Sequence, residues 1–298
     1  MPSLGLGLGL HKQIMMGFKQ GEMQPISNLS VGAKVKSPGT KYNGEPIIWL
    51  IGHKTVDRVK LITEKIITLK CFDAKEPSNP DSDRRASGNN RYSQSNIDQW
   101  LNSADGAGKW YSAQHTYDAP PTNANVLGNY NEYDAEAGFL ANFEEAFRNA
   151  ILDTTISVVK SSVDGGEYED ITRKVYLLSK TEVDLGNESG IAEGSKWDLF
   201  SNDNSRKAYP TAEAVSSSEY TGGGINASSP WYWWLRTPCA DNSYSVRRVT
   251  SSGSLSGHNS AYSGNRGIRP ALELPLTVMV SDDPDIDGAY IIQWGGDN

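Results

Sequence analysis

The side chains best suited to nucleophilic or metal chemistry are two cysteines and four histidines, and their spacing argues against either use. Cys71 and Cys239 lie too far apart for a CxxC metal or redox motif, and two thiols are too few for a disulfide framework. His11, His53, His115 and His258 are scattered, without the HExxH pairing that presents two imidazoles on one helical face to zinc. No GxSxG marks a serine nucleophile. Glu144 and Glu145 are a paired-carboxylate candidate, but adjacent helical residues do not face each other, so a solvated face is the expectation. One spacing resembles a cation loop: in DPDIDG, Asp283, Asp285, Asp287 and Gly288 match the start of an EF-hand. Its twelfth position is Trp294, where a bidentate Glu is required. The expectation is a chain with no catalytic residue, no metal and no cofactor.

The elements that would carry a site are legible in the apolar pattern. At 298 residues with 37% hydrophobic content, the chain can bury a large core. The net charge of −8, with no Lys/Arg run longer than a pair, speaks against a nucleic-acid partner. No apolar run approaches the roughly 18 residues of a membrane span, so no membrane insertion is expected. Residues 1–28, with Gly5, Gly7 and Gly9, read as a flexible leader or assembly segment, and a nucleotide-loop reading fails because no strand precedes them.

The globular pattern starts near residue 29. Asn43-Gly44 is a hairpin-type turn, and Ile47 to Ile51 read as a buried strand. Ser95 can cap a helix over NIDQWLNS, with Ile97, Trp100 and Leu101 on one face. Phe139, Leu140, Phe143, Phe147 and Ile151 keep a 3.6-residue period and predict a second, longer helix. Strand-like runs follow at TISVVKSS and RKVYLLSKTEV, then a long loop region from 185 to 229. Strands return at the Trp block, at SVRRVTSSGSL with Ser252-Gly253 as a turn, and at GIRPALELPLTVMV. Strand runs interrupted by two helices indicate α+β organisation. Residues 276–298 read as an acidic tail.

The segments VYLLSKTEV, WWLRTP, the Ser/Asn/Gly-rich run with SSGSL, and GIRPALEL resemble a bacterial and phage family of uncharacterised domains whose ends read WWLRS and GVRPAL. The resemblance covers about residues 29–275. It implies a C-type-lectin-like fold, two helices packed on antiparallel sheets with long loops, related to formylglycine-generating enzymes. Some such proteins are variable proteins of diversity-generating retroelements, including phage receptor-binding proteins. Classical calcium-lectin motifs are missing, and a formylglycine-type oxidase would need two adjacent reactive cysteines that the sequence does not place together.

Of the 28 residues from Ala240 to Gly267, 20 are Ser, Asn, Gly, Tyr, Asp, His or Thr, a composition that suits a diversified contact surface. The same composition marks any exposed loop. The expected ligand contacts are Asp241, Asn242, Ser243, Tyr244, Ser245, Arg247, Ser254, Ser256, His258, Asn259, Ser260, Tyr262, Ser263 and Asn265. Trp233, Trp234, Arg236, Arg269 and Pro270 are the expected frame, the arginines serving as fork-shaped structural donors. The resemblance implies a non-enzymatic receptor-recognition protein on a phage tail or bacterial surface. Its partner would be a host protein or glycan, and it would be set in a homo-oligomer or virion assembly. The rivals are a structural module without a ligand and a cryptic enzyme, which would bring Asp98, His53 or Cys239 together in a deep pocket.

Overall fold

A computed structural model describes residues 22–294, apart from the side chains of 256–258, so the Gly5/Gly7/Gly9 run, His11 and the side chains of Ser256 and His258 lie outside the described part. The strands in chain order are β1 (Met23–Pro25), β2 (Lys34–Tyr42), β3 (Glu45–Lys54), β4 (Arg58–Thr63) and β5 (Thr68–Lys70), then β6 (Thr154–Val159), β7 (Tyr168–Arg173) and β8 (Val175–Tyr176). After them come β9 (Trp233–Pro238), β10 (Ser245–Val249), β11 (Leu255–Ser260), β12 (Arg266–Ile268), β13 (Ala271–Pro275), β14 (Met279–Ser281) and β15 (Ala289–Gln293). Short helices punctuate the loops: α1 (Ser82–Ser87), α2 (Asn96–Asn102), α3 (Glu145–Ala150), α4 (Asp203–Arg206) and α5 (Ala212–Ser216). The architecture is α+β, dominated by sheet.

An eight-stranded sheet runs β1-β14-β15-β2-β3-β4-β13-β8, a five-stranded sheet runs β11-β10-β9-β12-β5, and β6-β7 form a ribbon. The Asn43-Gly44 turn joins β2 to β3 as expected, with φ of 51° and 87° in the left-handed region that Asn and Gly tolerate. Ser95 caps α2 by accepting from the Asp98 amide, and Ile97, Trp100 and Leu101 are buried on its inner face.

Two expectations change. The long helix over 139–151 is broken into a 3-10 turn (Phe139–Asn142) and α3, with Phe143 and Glu144 extended between them. All five periodic apolar residues are still buried, so the spacing reported burial correctly. The break lets the Glu144 carboxylate accept from Ser37 Oγ and Trp294 Nε1, while the Asn142 amide bonds back to Phe139 O. Glu144 is therefore an anchor and not a solvated residue. The expected acidic tail is likewise sheet: β15 pairs parallel with β2 and antiparallel with β14, and β14 pairs with β1 from the expected leader. Its aspartates are held by the core, since Lys36 Nζ meets Asp287 at 2.5 Å and Asp285 at 3.0 Å. An ammonium thus sits where the EF-hand reading would put a cation.

Candidate functional site

The Ser/Asn/Gly-rich run folds as the β10–β11 hairpin, with β11 at the edge of the five-stranded sheet and β10 against β9. Gly253 makes the turn at φ +88°, and a Cβ there would meet Asp203 O at 1.8 Å, so both conformation and space demand glycine.

Beneath the hairpin lies the frame. Trp233, Trp234 and Arg236 are fully buried and Arg269 is 2% exposed. Each tryptophan N–H finds a carbonyl, Trp233 at Arg206 O (3.0 Å) and Trp234 at Lys70 O (3.0 Å). Arg236 donates to Glu182 (2.5 Å) and to the carbonyls of Leu177, Ser157 and Glu193. Arg269 donates to Thr63 O (2.8 Å) and stacks over Trp233 (5.2 Å). Both arginines thus serve as forked donors to loop carbonyls, and Pro270 is buried beside them.

The expected contact residues divide. Ser243, Ser245, Ser263 and Asn265 are buried, so they do not face a visitor. Their backbones tie the hairpin down: Ser243 O accepts from Asn90 N, Ser245 O from Cys239 N, and Asn265 O from Trp231 Nε1. Asn242 is half-buried and folds inward, its Oδ1 accepting from the amides of Tyr244 (3.2 Å) and Ser245 (2.7 Å). Arg247 makes a bidentate pair with Glu188 (2.6 and 3.0 Å), a partner that sequence spacing could not announce. Burial pushes the Glu188 carboxyl up, but hydrogen bonds from Arg247, Lys180 and the Ala240 amide outweigh it and hold the group below its ordinary value. Asp241 is exposed, while Tyr244, Ser254, Asn259, Ser260 and Tyr262 are half-exposed.

Around Asn259 and Tyr262 the fold assembles residues that the periodicity did not nominate. The guanidiniums of Arg248 and Arg266 lie 4.6 and 5.2 Å from the centre of one ring, Tyr232. Tyr232 continues an aromatic chain through Trp231 (5.5 Å), Tyr220 (6.1 Å further) and Tyr130 (5.3 Å). The Asn259 amide oxygen, turned toward Arg266, accepts from its Nη2 (3.0 Å) and Nε (3.1 Å) and from Ser263 Oγ (2.8 Å). Asn265 Oδ1 accepts from Arg266 Nη1 at 2.7 Å. Among the described residues neither guanidinium has a carboxylate partner, and Arg248 Nε and Nη1 are buried without an acceptor. Burial lowers Arg248 below the usual arginine value, and burial with the nearby Arg248 charge pulls Arg266 down to about 10. A bulge between Val246 and Arg248 decides which of the two consecutive arginines joins this patch.

The groups a cryptic enzyme would need are engaged apart. Asp98 pairs with Arg173 (2.6 Å), His53 with Asp198 (2.9 Å), and the Cys239 thiol with Asp241. Burial pushes the Cys239 thiol up to about 11 and the Cys71 thiol higher still, so both remain protonated near neutrality. Three concavities have no hairpin residue in their lining: one of about 560 Å³ containing the Asp98–Arg173 pair, one of about 340 Å³ between Ile47, Glu64 and Thr211, and one of about 320 Å³ containing the Lys70–Glu136 pair. No group of three or more metal-ligating side chains occurs among the described residues. Nor is any described helix long and apolar enough to cross a membrane.

Residues 57–276 match the family model described as Domain of unknown function (DUF6273). The chain belongs to the DUF6273 family. No curated protein and no solved structure matches it. The DUF6273 match takes in the whole frame, the hairpin and the arginine–tyrosine patch. It leaves out β1, β2, β3, β14 and β15, and these five strands are contiguous in the eight-stranded sheet. In this protein the DUF6273 domain is thus continued, strand to strand, by sequence from both sides of the matched region.

Proposed function

We propose that this DUF6273 domain is a ligand-binding module on a C-type-lectin-like scaffold, whose contact face is the β10–β11 hairpin with the adjoining tyrosines. The observation that carries this reading is the division of labour within residues 231–274. Trp233, Trp234 and Arg236 complete their packing and hydrogen bonds inside the frame and Arg269 is closed within it, while Tyr244, Arg248, Asn259 and Tyr262 stay half-exposed above it. Half-exposed Tyr gives contact area at small rotamer cost, and Asn and Ser adapt their hydrogen bonding, the chemistry that binding surfaces favour. A frame that is satisfied without the face tolerates change on the face. The setting we propose is receptor recognition at a phage tail or bacterial surface, directed at a host protein or glycan, with hairpin codons rewritten by a diversity-generating retroelement.

Sequencing the gene in many sibling isolates tests this. Substitutions are expected to crowd into Asp241–Asn265 at the half-exposed positions, to fall at adenines of a nearby template copy, and to spare buried Ser243 and Ser245 with the frame. Substitutions spread evenly along the chain would sink the diversification reading. Replacing Tyr244 and Tyr262 together by Ala tests the contact face itself. The melting temperature is expected to hold while adherence to host cells is lost, and a variant that binds as wild type would refute the face.

A further inference from the structure

We infer that the arginine–tyrosine patch is the anchor point for the carboxylate or sulfate group of an acidic saccharide, an inference that rests on the hairpin face being a contact surface. Two guanidiniums share one tyrosine ring, at 4.6 and 5.2 Å from its centre. Of the five arginines between Trp231 and Leu274, Arg247 has Glu188 and Arg236 has Glu182, while Arg248 and Arg266 have no carboxylate among the described residues. Arg269 also lacks a carboxylate, but it is 2% exposed and so closed to a ligand, whereas Arg248 and Arg266 reach the surface.

The two patch arginines differ in how they are held. Arg266 is fixed by neutral acceptors, Asn265 Oδ1 and the Asn259 amide oxygen, which orient the guanidinium without cancelling its charge. Arg248 has two buried nitrogens with no acceptor among the described residues, held only against the Tyr232 ring. Two like charges brought together in a half-buried setting repel, and each unmade buried hydrogen bond carries a desolvation penalty. An oxyanion arriving at the surface relieves the repulsion, because its attraction to a partly desolvated guanidinium exceeds what the same pair has in water.

The neighbours select the rest of the ligand. Tyr130 and Tyr220 are half-exposed rings whose flat faces suit the C–H faces of a sugar ring, and the Ser/Asn-rich hairpin beside them offers adaptable donors and acceptors. A simple inorganic ion would use the charge and leave these rings unused.

The test is a glycan array bearing sialylated, uronate and sulfated saccharides beside their neutral counterparts, probed with the full chain as wild type and as Arg248→Gln, Arg266→Gln and Arg85→Gln. Binding is expected only to acidic members. It should fall about tenfold or more in each patch variant, weaken as salt rises, and be unchanged in Arg85→Gln, whose side chain is exposed elsewhere. Thermal melts accompany the array: because the patch arginines repel, their removal should leave the melting temperature equal or higher, which separates lost binding from lost fold. Arg248→Lys, which keeps charge and loses the planar fork, should bind at an intermediate level.

Equal binding to neutral and acidic glycans, or undiminished binding in both Gln variants, would overturn the anion anchor. Binding of an acetylated Asp/Glu peptide with no saccharide bound would overturn the saccharide and leave the contact face standing. No binding to any probe, with cell adherence intact, would refute the anchor alone. Loss of adherence on substituting Tyr244 and Tyr262 remains the separate test of the face.

Discussion

Arg236 on β9 and Arg248 on β10 belong to adjacent strands of one sheet, yet they meet opposite electrostatic fates. Arg236 is fully buried and surrounded by acceptors: Glu182 at 2.5 Å and three carbonyls. Arg248 is half-buried, lies over Tyr232, and has two buried nitrogens with no acceptor among the described residues. The Arg236 charge is compensated inside the fold, since an unpaired buried ion costs several kcal/mol. A charge left uncompensated at a surface is available to something that is not part of the chain. The contrast separates frame from face more sharply than composition does, because both segments are rich in residues that, by type alone, fit either role.

The largest effect is expected from the frame. Arg236→Ala strands Glu182 and Glu193 in the core, and should cost roughly 3–5 kcal/mol in urea unfolding. A loss under about 1 kcal/mol would mean that the frame does not depend on this cation.

Arg247 should fall between the extremes. It is half-buried, and Glu188 keeps Lys180 as a second partner, so Arg247→Ala should cost only about 1 kcal/mol near neutral pH. Because the folded state holds the Glu188 carboxyl below its ordinary value, the contribution is complete above that value, near 4.3, and is lost as pH falls through the lowered one. Wild type and variant should therefore converge in stability on acidification. A gap that persists in strong acid would assign Arg247 to packing.

The smallest stability effect is expected at the patch. Arg248→Gln and Arg266→Gln should lie within about 0.5 kcal/mol of wild type or above it, judged by the same unfolding curves, while altering ligand binding most. A marked loss of stability would move these two residues from the face into the frame and erase the comparison.

The glutamate at 144 illustrates how far local pattern reaches. Its neighbours at 139, 140, 143, 147 and 151 have the period of a helix, and burial follows that period faithfully. The backbone does not, because hydrogen bonds from Ser37 and Trp294, both distant in sequence, favour an extended Phe143–Glu144 link over one more helical turn. Short signals with their own chemistry survived: the Asn43-Gly44 turn and the Ser95 cap each depend on atoms within a few residues.

The candidate site was legible in the same uneven way. Asn259 and Tyr262 could be picked out by type, and the Trp and Arg motifs by their apolar and forked chemistry. Choosing Arg247 over Arg248 could not succeed from the sequence, since a single bulge determines which of two consecutive residues turns toward Glu188. Tyr232, Tyr130 and Tyr220 gave no signal either. They meet because the loop between α5 and β9, which holds Tyr220 and Tyr232, packs against the loop that holds Tyr130.

From its amino acids alone, this protein was bound to be an α+β domain, sheet-rich, with a tryptophan-lined strand and a closing apolar strand around a polar run, because apolar patterning and turn chemistry are set by residues that are neighbours in the chain. Tertiary structure alone decided which charges are neutralised. Ion pairs such as Arg236–Glu182 and Lys36–Asp287 join residues far apart in the chain, and Coulomb energy depends on distance in space and on burial, neither of which residue order records.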